Sequence, residues 1–186
     1  SGLRVVTPRS PIDAYGMLKS AVRSNDPVII IEHERMYNMK EEVPDKEFFR
    51  PLEGAEIVRK GTDITLIGYN WSVHLCLDAA KRLEKDGISA EVIDLRSLKP
   101  IDRETIRRSV EKTHRMLVAE EDEAAVGVGS EIISIVIEDC FFALDAQPVR
   151  VHAADVPVPY AAELEHAAIP NVEDVYKGAL KLMGRI

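Results

Sequence analysis

Short runs of β-branched and other apolar residues alternate along the chain with stretches whose apolar positions recur at the helical period, the pattern of parallel βα units. Residues 3–7 read as a strand, 12–24 as a helix and 28–32 (VIIIE) as a strand buried on both faces, which makes one βαβ unit. Between residues 33 and 54 the periodicity is lost and charges accumulate. Pro44 and Pro51 fall in this stretch, which is too long for an ordinary loop and reads as an interdomain linker. Beyond it, 63–67 (DITLI) is a strand, and 72–86 is a helix with Val73, Cys76, Leu77, Ala80 and Leu83 on one face, stopped by Gly87. Residues 90–94 (AEVID) form the next strand. Asp102 then caps a helix whose acids, Asp102 and Glu104, come early and whose bases, Arg107, Arg108 and Lys112, come late, in step with the helix dipole. A strand follows at 115–120, then a helix whose apolar face is Ile132, Ile133, Val136, Ile137, Cys140 and Phe141. A strand at 149–152 and a helix over 171–184 capped by Asn171 close the chain. The prediction is an α/β fold: an open, mostly parallel sheet with helices on both faces, preceded by a lone βαβ unit.

Composition narrows the partners more than the fold. The chain has 186 residues, 46% apolar and 30% charged, so it is a folded chain that needs neither disulfide nor metal to bury a core. Its net charge of -8 argues against nucleic acid or an anionic membrane as the main partner and favours a basic one. Cys76 and Cys140 lie among apolar residues at helical spacing and read as core thiols in a reducing compartment. No apolar run approaches the ~20 residues of a membrane span, and no signal or transit peptide is visible. A start at Ser1-Gly2-Leu3 without an initiator Met points to a processed, cut or tagged chain.

Motifs for chemistry are few. Gly127-Val128-Gly129 follows a strand and opens a helix, but Ile132 occupies the place of the third glycine of a dinucleotide fingerprint. The four carboxylates Glu120 to Glu123 just upstream would repel a pyrophosphate, so close backbone packing is the expected role of these glycines. Glu120 and Glu121 could in principle work as an acid/base pair, yet an exposed acidic loop is the expected reading. His33, His74, His114, His152 and His166 show neither i, i+4 spacing nor a neighbouring Cys, so no zinc site is expected. One feature is less ordinary. The helix ending near Ser24 runs into Asn25, Asp26 and Pro27, which leaves open carbonyls beside a carboxylate, suited to a monovalent cation or to capping by water or side chains.

Taken in order, the segments GLRVVTP, PIDAYGMLKSAVRSNDPVIIIE, GTDITLIGYNWSVHLCLDAAKRLEKDGISAEVIDLRSLKPID, KTHRMLVAEE, GVGSEI, LDAQPVRV and ADVPVPYAAELEHAAIPNVEDV resemble the beta subunits of the thiamine-diphosphate-dependent 2-oxo acid dehydrogenases, most nearly the pyruvate dehydrogenase type. The resemblance implies a transketolase C-terminal-domain-like fold over residues 53–186, preceded at 1–52 by the remnant of a pyrimidine-binding domain plus linker. It also implies that the family's cofactor-activating glutamate and active-site histidine lie upstream of Ser1, so that residues 1–186 alone are expected to be inactive. In the intact assembly it implies thiamine diphosphate and magnesium, an alpha subunit, a second beta subunit, and docking to the subunit-binding domain of dihydrolipoamide acyltransferase. The setting would be bacterial cytoplasm or mitochondrial matrix.

Two positions carry over for docking. Asp145 matches an acidic position of relatives, and Ile186 matches the chain end, whose carboxylate can pair with Lys or Arg. The end of the first helix, with Ala21, Val22, Ser24 and Asp26, matches a potassium site built largely from backbone carbonyls, although Ser24 stands where many relatives carry an aspartate and Asp26 where they often carry an asparagine. Arg150-Val151-His152-Ala153 replaces a common Arg-Val-Thr-Gly, which leaves pyruvate, branched-chain oxo acids and acetoin open as substrates. Another thiamine-diphosphate enzyme and a non-enzymatic acidic adaptor are the alternatives.

Overall fold

In a computed structural model, which describes residues 2–186, Ser10 opens the first helix. Its hydroxyl accepts the Asp13 amide at 3.3 Å, and Pro11 takes the first helical position, where no amide partner is needed. This helix, α1 (Pro11–Val22), connects two parallel strands, β1 (Arg4–Val6) and β2 (Val28–Ile30). β2 pairs with β1 alone among the described residues. Ile29 and Ile31 therefore stay exposed, and the strand expected to be buried on both faces is an edge strand. The stretch read as a linker is not a free tether. It makes one 3-10 turn at Glu34–Met36, then folds back on α1, where the Arg50 amide donates to the Gly16 carbonyl at 3.1 Å and Ser20 Oγ to the Arg50 carbonyl at 2.6 Å. Gly16 is required there, because a Cβ would come within 2.9 Å of the Phe48 ring.

The rest of the chain runs β3 (Glu56–Arg59), β4 (Ile64–Gly68), α2 (Ser72–Lys85), β5 (Ala90–Asp94), β6 (Ser97–Lys99), α3 (Arg103–Thr113), β7 (Met116–Glu123), α4 (Val128–Cys140), β8 (Val149–Ala153), α5 (Ala162–Ala168) and α6 (Val172–Leu182). Five strands form one sheet in the order β3-β5-β4-β7-β8, parallel except for β3. Side-chain alternation splits the core across it. Leu66, Val92 and Leu117 pack under α2 and α6 with Cys76, Ala80, Val175 and Ala179, while Ile67, Ile93 and Val118 pack under α3 and α4 with Ile106, Val110, Ile132 and Val136. The expected caps are in place: Asp102 accepts the Thr105 amide at 3.0 Å, and Asn171 with Asp174 forms a capping box on α6. Both cysteines are buried and free.

The two parts are joined by backbone and by charge. β6 leaves the large sheet and pairs antiparallel with β1, giving a second sheet in the order β2-β1-β6. Beside this joint Arg9 Nε lies 3.0 Å from Asp94 Oδ2 and 3.9 Å from Asp13 Oδ2, and Arg50 Nε lies 3.2 Å from Asp13 Oδ1. The Arg9–Asp94 contact is an ion pair without an aligned hydrogen bond. Burial wins over that pairing and pushes the Asp94 carboxyl up to about 7.

Candidate functional site

α4 ends at Cys140 and its chain continues through a 3-10 turn, Phe141–Ala143, into the loop that carries Asp145. Two hydrogen bonds pin this loop to the turn between α3 and β7: the Asp145 amide donates to the His114 carbonyl at 2.9 Å, and His114 Nδ1 lies 2.8 Å from the Ala143 carbonyl. His114 reaches that position by adopting a left-handed φ of 61°. The Asp145 carboxylate is half exposed, with Arg115 Nη1 3.4 Å away. Such a pair in water is weak and leaves the carboxylate free to change partners.

The apolar face of this helix differs from the expected one. Ile132, Ile135, Val136 and Cys140 are buried, whereas Ile137 and Phe141 are exposed and Phe142 is 98% exposed. The reason is phase: positions 137 and 141 follow each other by one helical turn, but on a stripe rotated away from the core stripe at 132, 136 and 140. These exposed side chains line a groove with Leu144, Asp145 and Pro148, and Phe141 and Phe142 meet edge to face at 5.4 Å. A neighbouring groove joins Ala146, Gln147 and Pro148 to Lys181 and Leu182 at the end of α6, from which the chain runs through Gly184 to the exposed Ile186. Asp145 and the last turn before Ile186 thus border adjoining grooves.

The Gly127-Val128-Gly129 turn has its anion already. Glu120 is fully buried, contrary to the expected exposed acidic loop; its Oε2 accepts the Gly129 amide at 2.7 Å and its Oε1 accepts from Arg150 Nε at 3.0 Å. A Cβ on Gly127 would lie 2.9 Å from Glu120 Oε2, so the glycines admit the carboxylate to the helix N-terminus. A pyrophosphate finds that seat occupied. Two of the other acids are engaged too, Glu121 with His33 at 2.6 Å and Asp122 with the Tyr69 hydroxyl, whose own proton is held tighter by burial.

At the end of α1 the Ala21 carbonyl accepts the Ser24 amide at 3.0 Å and the Ser24 hydroxyl accepts the Asp26 amide at 3.1 Å, while Val22 is exposed. Asp26 Oδ2 accepts from Arg4 Nε at 3.2 Å, so its charge is answered by a guanidinium. Neutral carbonyl oxygens remain as the donors of this helix end, a set that suits a weakly held monovalent cation. Among the described residues no group of three or more His, Cys, Asp or Glu side chains converges as a metal site, and no helix is long and apolar enough to cross a membrane.

Residues 53–175 match the family "Transketolase, C-terminal domain". The chain is 46% identical to the pyruvate dehydrogenase E1 component subunit beta, mitochondrial, of Pisum sativum, over 99% of this chain and 52% of that protein. It is 47% identical to the corresponding subunit beta-1 of Oryza sativa subsp. japonica, over 96% of this chain and 49% of that one. Among solved structures it is similar to a split gene transketolase, described as an inactive beta4 tetramer, with a TM-score of 0.79 at 27% identity over 98% of this chain and 58% of that chain. The chain therefore spans about half the length of the curated relatives it matches.

Proposed function

The chain belongs to the transketolase C-terminal domain family through residues 53–175, and from that premise we propose that it is the C-terminal part of the beta subunit of a pyruvate dehydrogenase-type decarboxylating component, serving assembly and docking. In this reading residues 1–52 are the remnant of a pyrimidine-binding domain plus linker, and residues 53–186 the transketolase C-terminal-like domain. The alpha subunit, a second beta subunit and the subunit-binding domain of dihydrolipoamide acyltransferase are its partners, in mitochondrial matrix or bacterial cytoplasm. The intact assembly holds thiamine diphosphate and magnesium, which supply the decarboxylation chemistry. Within this chain the Gly127-Val128-Gly129 turn is not a seat for its pyrophosphate, since the Glu120 carboxylate fills it.

The observation that carries the docking reading is the exposed groove at Ile137, Phe141 and Phe142, bordered by Asp145, on a chain of net charge -8. Apolar side chains left in water beside an acid are what a basic, partly apolar partner needs: the acid steers and the rings supply the buried area. The terminal carboxylate at Ile186 adds a second anion for Lys or Arg. Asp145→Ala is expected to weaken binding of the isolated subunit-binding domain about tenfold at low salt, measured by calorimetric titration, with less loss as salt rises. An Asp145→Ala chain that binds like the parent removes Asp145 from the contact.

The carbonyls at Ala21 and Val22, with Ser24 and Asp26 nearby, are a proposed potassium site, supported by the neutral backbone oxygens gathered at the end of α1. Exchanging sodium for potassium at equal ionic strength is expected to raise the melting temperature by about 2–4 °C, as a ligand at several times its dissociation constant does. Equal melting in both salts would remove the site.

A further inference from the structure

In the large sheet the chain turns from β4 one way to β5 and later the other way to β7, so the carboxyl ends of β4 and β7 flank the point where strand order reverses. The segment after β2 lies across this point. Asn70, just past β4, donates from Nδ2 to the Ile31 carbonyl at 2.9 Å, and the next turn brings His33 onto Glu121 at the end of β7. His33 also stacks on Trp71 at 5.9 Å, and Arg35 places its guanidinium 5.8 Å from the same indole while its Nη2 donates to Glu165 of α5 at 3.3 Å.

The two nitrogens of His33 have opposite duties. Nδ1 accepts the Arg35 amide at 3.2 Å and so caps the 3-10 turn at Glu34–Met36, while Nε2 lies 2.6 Å from a carboxylate oxygen of Glu121, which can only accept. A neutral imidazole with its proton on Nε2 satisfies both; the other tautomer puts a proton against the Arg35 amide and a bare nitrogen against the carboxylate. We propose that His33 is a proton-operated clasp between the βαβ unit and the large sheet. Neutral, it caps the turn and holds Glu121. Protonated, both nitrogens donate, the Glu121 bond persists, and the acceptor for the Arg35 amide is gone, so the turn loosens and Arg35 is released from its fixed place between Trp71 and Glu165.

The charged surroundings support a local event. Glu121 faces the ring from β7, with Asp122 beside it tied to Tyr69. From α2, His74 lies on Trp71 at 5.2 Å, but its Nε2 contacts the Arg9 carbonyl at 2.8 Å, a bond that a protonated ring keeps. On its own segment Glu32, Glu34 and Arg35 flank the ring, and Glu165 from α5 is engaged by Arg35. Of the two histidines here, His33 is the one whose protonation deletes an acceptor already in use.

Nitrogen-15 NMR of the whole chain tests the clasp, with His33→Asn and His33→Gln beside the parent. Asparagine keeps a short acceptor for the Arg35 amide without reaching Glu121; glutamine reaches outward and leaves the turn uncapped. At pH 8 the parent should show the Nε2–H tautomer. On acidification to pH 5 its Arg35 amide should lose roughly fivefold to tenfold in intrinsic-rate-corrected exchange protection, the weight of one cap. His33→Asn should hold that protection at both values, and His33→Gln should lack it at both. An Nδ1–H tautomer at pH 8, or the same acid-dependent loss in His33→Asn, would overturn the proposal.

Discussion

Arg150→Met should lower the unfolding free energy by about 3–5 kcal/mol, the usual cost of leaving one half of a buried ion pair alone. Glu120 is fully buried on β7, and Arg150 on β8 is its counter-ion across neighbouring parallel strands. The same guanidinium donates to the Ala124 carbonyl and to Ser130 Oγ at 2.8 and 2.7 Å, so its removal also frees the 124–130 turn. Glu120 cannot escape to water without dragging β7, and the Gly129 amide satisfies just one of its oxygens. Urea unfolding at neutral pH reads the loss directly. The double variant Glu120→Gln with Arg150→Met should regain much of it, because a neutral amide keeps the Gly129 bond and carries no buried charge. Equal stability of the Arg150→Met chain and the parent would mean that Glu120 is solvated, against its burial.

Asp94→Asn is expected to change the shape of the pH–stability curve rather than to damage the fold. Burial raises the Asp94 carboxyl from 3.8 to about 7, with Arg9 unable to offset it through a misaligned contact. For an acid raised in the folded state, the folded chain binds a proton that the unfolded chain releases. The contribution is therefore fully present below pH ~4 and is lost as pH rises through ~7. A shift of this size is on the order of 4 kcal/mol between those limits. The asparagine variant keeps an acceptor for the Arg96 amide, which Asp94 Oδ1 takes at 3.0 Å, and has no proton to lose. Relative to the parent it should gain stability steadily between pH 4.5 and 7.5 in urea titrations, reaching parity or better at pH 8. Carboxylates held low, such as Asp102 with its amide bonds and Asp139 beside Arg103, act in the opposite sense at lower pH and cancel in the difference. A parent-minus-variant difference independent of pH would contradict a raised Asp94.

How much of this was legible in the amino-acid order depends on which force placed each element. The strand Ile64–Gly68 is buried on both faces and announces itself as a β-branched, mostly apolar run, Ala90–Asp94 is equally buried although it carries Glu91 and Asp94, and the caps at Asp102 and Asn171 follow from local hydrogen bonding alone. Two of the edge strands give no such run. Glu56–Arg59 and Ser97–Lys99 are short, partly exposed and held by pairing with distant strands, and Ala162–Ala168 is a seven-residue helix with no side-chain cap. Glu120 looked like surface because its partner is thirty positions away, in a strand whose register is set by the sheet. At the proposed docking groove, Asp145 entered through family resemblance, whereas the exposure of Ile137 and Phe141 needed the helical phase to be read residue by residue against the core stripe at Ile132 and Val136.

The measurement that bears most directly on the account is a calorimetric titration of the chain with the subunit-binding domain of a dihydrolipoamide acyltransferase, run at low and at raised salt after the oligomeric state of the chain has been established by sedimentation. Docking at this groove predicts saturable binding that weakens as salt rises and that Phe142→Asp abolishes. Absence of binding by a verified dimer, or binding indifferent to salt and to Phe142→Asp, would contradict docking at this groove.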